Sequence, residues 1–401
     1  MFWAKEYGDK PAENPDKDKR FDPDKALAEC ERFYRFYVDT LKFSIKGQSL
    51  TDQYKLLIYV VGGPGGTANG GGEDNKVGIL WTPAVRMTRP PYGALAHEIG
   101  HSFQYLLNAD AKPAGRMPGP LYEMTSQYML WQVYPEWQTF EKYHLDAFMK
   151  QTHLAFPHEN NQYHSPYLLE YWSFKHGQEF VASLWRGIGK GEDPVQAYQR
   201  LTKIDQAAFN DEVFDAARRF VTWDLPRIEK TSAKYANQHT SELTAAGDGW
   251  HQIAERSCPQ NYGYNAIKLT VPAANTPVTL DFKGEAGATG FRSINPDKAG
   301  WRYGYLAVKA DGSRVYGPSA SATAAVPTGR LHFTVPANTQ YLWLVVTGAP
   351  TAHWPHKATK DHSADEQWPY RLRLAGTAPD PSVLKPAAPD RRSSAAARSE
   401  K

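Results

Sequence analysis

ALAHEIGHSFQYLL, Ala94 to Leu107, is the stretch from which the rest of the chain is read. His97 and His101 are four positions apart, so on an α-helix they share one face and both imidazoles reach a single metal ion. Glu98 then projects beside that ion, where its carboxylate can take a proton from water. The flanking Ala94, Leu95, Ala96, Phe103, Leu106 and Leu107 are apolar and mostly helix-permissive. Pro90, Pro91 and Gly93 stand just upstream, where a helix start belongs. So short a motif also arises without function, on helices whose His and Glu are incidental. The rest of the chain has to separate the two.

With 401 residues the chain is long enough for two or three domains and a sizeable core. Hydrophobic residues at 41% and charged residues at 22% are ordinary for a soluble globular protein. The net charge is +3 and the folded part has no dense Lys/Arg tract, so nucleic-acid binding has no electrostatic support. Aromatics are abundant, with 12 Trp, 23 Tyr and 17 Phe, and suit either core packing or a carbohydrate-facing surface.

Cys30 and Cys258 allow one long-range disulfide or two buried thiols, and neither sits in a metal motif. No run of 18 apolar residues exists, so no transmembrane helix is expected. The opening MFWAKEYGDKPAENPDKDKR is polar and lacks an apolar signal core. Of a cytosolic protein and a mature form whose signal is gone, the second is favoured: a secreted or periplasmic protein, expected as a monomer.

In order, residues 1–22 read as a polar lead-in. DKALAECERFYRFYVDTLKF follows as a helix, with Asp22 as cap and Pro23 at its first position. Tyr54 to Val61 reads as a buried strand. The glycine-rich GGPGGTANGGGEDNK reads as a loop, because no Lys-Ser/Thr follows to make a phosphate cradle. Val77 to Pro83 reads as a second strand. Leu121 to Phe140 resumes as helix, interrupted near Pro135, and amphipathic helices continue to about Lys230. From about Trp250 short alternating runs take over, among them YNAIKLTVP, PVTLDFKG and GRLHFTVPANTQYLWLVVTG, with an Asp311-Gly312 hairpin signal. The expected fold class is α+β: a small sheet plus helical subdomain over 23–245, a β-sandwich over 250–376, and a disordered tail over 377–401.

Catalytic zinc takes three protein ligands and leaves one position open. Asp110 is near but expected in a loop past the helix end, and Glu136 and Glu141 lie further on. Glu123, 22 residues after His101 and near the start of the next helix, has a workable spacing in a two-helix hairpin.

HEIGHSFQ followed by LYEMTSQYM resembles the gluzincin plan, with HExxH on one helix and a glutamate ligand on the next. The form HExGHxxQ is similar to the enhancin and mucin-peptidase-like group. The longer run from VGILWTP to RRFVTWDLPRI resembles secreted bacterial proteins classed only as a domain of unknown function. The resemblance implies a zincin-like domain in which His97, His101 and Glu123 bind zinc (Zn2+) and Glu98 is the general base. It also implies an edge strand that pairs with an extended substrate, for which Gly78, Ile79, Leu80 and Trp81 are the candidates. An oxyanion donor is expected from NQYHSPYLLEYW, His164 first and Tyr163 second. Thr125, Ser126 and Gln127 are candidates to orient the imidazoles. His353, His356 and His362 form a weaker surface grouping.

Two functions compete. One is a zinc metallopeptidase acting on protein or glycoprotein. The other is a glycan- or surface-binding protein that uses the β-sandwich. An exposed cluster among Trp301, Tyr303, Tyr305, Trp343, Trp354 and Trp368 would favour sugar binding, and alternation into a core would not.

Overall fold

The structure, a computed structural model, describes residues 1–63 and 65–385. The chain forms two compact units. The first comprises Met1–Gln151, Pro157–Ala236 and His353–Ala358, and the second comprises Thr152–Phe156, Asn237–Ala352 and the chain from Thr359.

The first unit is a small sheet with helices. Its strands are β1 (Phe2–Trp3), β2 (Leu57–Val61), β3 (Asn69–Glu73) and β4 (Val77–Pro83), in the order β1-β2-β4-β3. β4 pairs parallel with β2 and antiparallel with β3. Its helices are α1 (Pro23–Asp39), α2 (Gly93–Ala111), α3 (Gly119–Val133), α4 (Trp137–Phe140), α5 (Lys142–Met149), α6 (Tyr167–His176), α7 (Phe180–Gly187), α8 (Pro194–Thr202), α9 (Gln206–Phe220) and α10 (Glu229–Ser232). α1 begins as its sequence demands: Asp22 accepts from the Lys25 amide and Pro23 needs no donor. The lead-in is part of the fold, since β1 pairs with β2 and Tyr7 and Phe21 are buried.

α2 lies against the sheet, and most of its residues are buried. Ser102 donates to the Ile79 carbonyl at 2.9 Å, and Tyr37 of α1 donates to the Ala96 carbonyl at 3.0 Å. α3 is anchored on its far side by a buried ion pair. Glu170 of α6 receives both Arg227 nitrogens at 2.8 Å and Gln132 at 2.6 Å, while Arg227 also donates to the Trp131 carbonyl. Removing one partner of such a pair costs about 3–5 kcal/mol, because the other charge stays buried.

The second unit contains β5 (Leu243–Ala245), β6 (Trp250–Ile253), β7 (Tyr264–Leu269), β8 (Pro277–Gly284), β9 (Gly300–Lys309), β10 (Arg314–Thr323), β11 (Thr328–Thr334), β12 (Thr339–Gly348), β13 (Tyr370–Ala375) and β14 (Leu384–Lys385). One sheet runs β10-β9-β12-β7 and the other β11-β8-β13-β6-β5-β14. Rings meet between them: Phe282 of β8 stacks on Tyr303 of β9 at 4.2 Å, and Tyr305 on Phe333 at 5.3 Å. Trp301, Tyr303, Tyr305, Trp343 and Trp368 are fully buried, so these aromatics are core, the outcome that disfavours sugar stacking.

Two expectations change, and the choice left open for the cysteines is decided. The boundary falls at Ala236–Asn237, and residues 353–358 return to the first unit. They are held there by hydrogen bonds from His353 to Asp193 (2.6 Å) and from His356 to Glu159 (2.9 Å). Within the expected tail, residues 381–385 are structured, with β14 paired to β5, and residues 386–401 lie outside the described residues. Cys30 and Cys258 are two free, buried thiols, and burial pushes Cys30 up to about 12. Among the described residues no helix is long and apolar enough to cross a membrane.

Candidate functional site

The site is built where α2 and α3 come closest. A Cβ on Gly100, the fourth residue of HEIGH, would meet Ser126 Oγ at 3.0 Å and Ser126 Cα at 3.3 Å. A glycine lets the two helices approach this far without displacing Ser126, and the approach carries Glu123 to the histidines.

His97 Nε2, His101 Nε2 and Glu123 Oε2 form a triangle with all three sides 3.1 Å. The tautomers follow from their neighbours. Gln127 Nε2 donates to the Tyr163 carbonyl at 2.9 Å, which turns its oxygen toward His97 Nδ1, also at 2.9 Å. Gln104 Nε2 donates to the Tyr122 carbonyl at 2.9 Å, which turns its oxygen toward His101 Nδ1 at 3.0 Å. Both Nδ1 atoms therefore carry the proton, and both Nε2 lone pairs point into the triangle beside a carboxylate. Three lone-pair donors facing one point repel one another unless a cation or a proton stands between them. Burial opposes charge on His101, but Glu123 outweighs it and raises that pKa. Burial likewise pushes Glu123 up, yet when a proton takes the place of a cation in the triangle, hydrogen bonds and charge from the protonated imidazoles hold it far below the usual carboxylate range.

The donor set fits a divalent metal. Two imidazole nitrogens and one carboxylate oxygen around a tetrahedral ion at bond lengths near 2.0 Å stand about 3.3 Å apart, close to the triangle found. A Glu98 carboxylate oxygen lies within 4.8 Å of the ligand nitrogens of both histidines. Beside the triangle opens a cavity of about 230 Å³ lined by Thr67, Ala68, Arg86, His97, Glu98 and Tyr163, among others.

The other expected residues fall as follows. Tyr163, in the turn before α6, stands with its ring 6.1 Å from that of His97. Burial and the Glu123 charge push its phenol up to about 12. His164 turns the other way, its Nδ1 2.7 Å from His144 Nδ1, so the order of the two oxyanion candidates reverses. Gln127 orients His97 as expected, whereas Thr125 accepts from Trp185 and Ser126 from Gln104, each turned toward another neighbour. Gln104 was not foreseen as a partner of His101, although its place three residues on along the same helix was the signal. Asp110 is inside α2, not past its end, and accepts from the Leu50 amide.

Gly78, Ile79, Leu80 and Trp81 lie on an internal strand, because β4 is paired on both sides. The edge is β3, from the glycine-rich segment read as a loop. Its Gly70 backs directly onto α2. His158, Glu159 and His356 also bring ligand atoms within 4.8 Å of one another. There, His158 Nδ1 already accepts from the Asn160 amide, and His356 bonds Glu159.

The fold and this site define an α+β chain with a two-histidine, one-glutamate cluster in its helical unit. The chain belongs to a family of unknown function, DUF6055, whose model matches residues 1–381. A search of the curated proteins finds no match. Among solved structures, the chain is similar to the C-terminal family 22 carbohydrate-binding module of Clostridium thermocellum Xyn10B. Identity is 12% over 36% of this chain and 84% of that one, with a TM-score of 0.21. It is also similar to a carbohydrate-binding module from Cellvibrio mixtus lichenase 5A, at 8% identity over 34% and 84%, with a TM-score of 0.17. Likenesses this slight carry no argument.

Proposed function

We propose that the protein is a zinc-dependent hydrolase that cleaves peptide bonds in secreted or surface proteins and glycoproteins. The observation that carries this reading is the 3.1 Å triangle of His97, His101 and Glu123, with both Nε2 lone pairs directed inward by Gln127 and Gln104. His97, His101 and Glu123 would hold the ion, which when bound polarises a carbonyl and makes water more acidic. Glu98, unbound and adjacent, takes the proton of the attacking water and passes it to the leaving amine. The Tyr163 phenol, neutral across the physiological range, donates to the oxygen that gains charge. An extended substrate pairs with the outer edge of β3 and thereby lies along the cavity.

The test is incubation of the purified protein with a panel of proteins and glycoproteins, with and without chelator, followed by mass spectrometry of the products. Cleavage that chelator and Glu98→Gln both abolish supports the reading. Absence of zinc from protein purified without chelator counts heavily against it.

The second reading is glycan binding through the β-sandwich. One observation favours it: Trp250 is on the outer face of the six-stranded sheet, with the Arg373 guanidinium 4.9 Å from its ring. Retention on polysaccharide columns that Trp250→Ala removes would support it.

A further inference from the structure

Behind His97 the polar network continues beyond what metal binding needs. His97 Nδ1 donates to Gln127 Oε1, and Gln127 Nε2 lies 2.9 Å from the Tyr163 carbonyl and 3.1 Å from His144 Nε2. His144 Nδ1 lies 2.7 Å from His164 Nδ1. With the Tyr163 carbonyl as the fixed acceptor, and the Glu141 carboxylate at 3.7 Å from His144 Nε2 beyond hydrogen-bond distance, one proton order satisfies every hydrogen bond. The Tyr163 carbonyl fixes Gln127 as the donor at Nε2, so His144 Nε2 must accept and His144 Nδ1 must carry the proton. His164 Nδ1 must then accept, which leaves its proton on Nε2. Any reversed link sets two donors face to face. His144 and Gln127 are buried, and the Trp137 and Tyr143 rings flank the His144 imidazole at 5.6 and 4.1 Å.

We propose that His144 and His164 are positioning residues. Acting through Gln127, whose second amide hydrogen His144 accepts beside the one taken by the Tyr163 carbonyl, they reinforce the metal-binding tautomer of His97 and tie the Tyr163 turn to that ligand. The proposal rests on the reading of His97, His101 and Glu123 as metal ligands. Two neutral imidazoles at these depths are a costly way to fill space, since apolar side chains would pack there with no hydrogen bonds to satisfy. Burial, with His164 and His97 beside it, drops His144 to about 3, and burial lowers His164 too, so both stay neutral acceptors and donors in the required order. Because one amide serves the His97 imidazole and the Tyr163 main chain together, displacing it disturbs the ligand and the phenol at once.

The test uses the full chain. Long-range nitrogen–proton spectra of the metal-free protein, recorded at alkaline pH where no proton stands in the triangle, should place protons on Nδ1 of His97, His101 and His144 and on Nε2 of His164. Co²⁺ titration, followed by its visible absorption, gives the metal affinity. His144→Leu should mix the His97 tautomers and weaken Co²⁺ binding about 10- to 100-fold, while His144→Gln, which keeps an acceptor toward Gln127, should restore both. If His144→Leu does not fold, His164→Leu, at the half-buried end of the relay, serves instead. A folded Leu variant with an unchanged His97 tautomer and unchanged Co²⁺ affinity overturns the proposal. If the wild-type protein binds no Co²⁺, the metal reading fails, and the tautomers of the metal-free protein alone decide the relay.

Discussion

Gly70 backs so closely onto Glu98 that a Cβ on the glycine would overlap the glutamate's main-chain carbonyl. The edge strand and the helix carrying both histidines are thus in backbone contact, and Glu98, the proposed general base, projects from the point where they touch. Gly70→Ala must push the strand off the helix, and overpacking of this kind costs about 1–3 kcal/mol. Gly71→Ala, whose Cβ would meet only the Trp81 ring at 3.9 Å, is the control. Thermal unfolding should show a clear loss of Tm for the first and little change for the second. Equal losses would refute the close-contact account.

Metal content separates the roles within the cluster. Glu98→Gln should keep zinc and lose hydrolysis about 10²- to 10⁴-fold, since only the proton transfer is removed. His97→Ala and Glu123→Ala should lose the metal itself. Elemental analysis after dialysis reads both, and Glu123→Ala with full zinc content would make that ligand assignment wrong.

Zinc should also stabilise the fold, because the assembled triangle exists only in the native state. At a free concentration of 100 times Kd the gain is about 2.7 kcal/mol. Calorimetry should show Tm rising with added zinc, falling with chelator, and indifferent to zinc in His97→Ala.

Tyr163→Phe keeps the ring and removes the donor. Loss of one such donor typically lowers kcat about 10²- to 10³-fold. A proportionate fall in kcat at nearly constant KM and unchanged metal affinity is expected. A Tyr163→Phe enzyme with unchanged kcat would remove the phenol from the mechanism.

Within the second unit, acid sensitivity should draw on His239, as His144 contributes in the first. His239 is buried, bonded to the Tyr264 hydroxyl at 2.7 Å, and burial lowers its pKa from 6.5 to about 3. The unfolded chain binds a proton below pH 6.5 and the folded one does not until about 3. Stability from this group is therefore present above 6.5 and is lost as pH falls through that window, by at most about 1.4 kcal/mol per unit. His239→Gln, which still accepts from Tyr264, should flatten the acid limb of the stability curve. An unaltered slope between pH 6 and 4 would exclude His239 as its source.

Much of this molecule was legible in one dimension. HEIGH on a helix, Asp22-Pro23 as a helix start, β4 at Val77–Pro83 and the Asp311-Gly312 turn with its flanking strands all follow from period and turn chemistry, which short stretches carry by themselves. Spacing likewise nominated Glu123, since two helices joined by a short loop have few ways to pack.

Tertiary structure decided the rest. Asn69–Glu73 has almost no β-propensity and became a strand because its neighbours required a thin backbone there. That in turn moved the sheet edge from β4 to β3. Tyr163 came to the cavity and His164 turned from it through the direction of a short turn that no periodicity encodes. Residues 353–358 joined the first unit through carboxylates about 160 and 200 positions away in sequence. Period and propensity are properties of neighbours along the chain. The 3.1 Å convergence of two imidazoles and a carboxylate is a property of packing, made possible where Gly100 lets α3 come close.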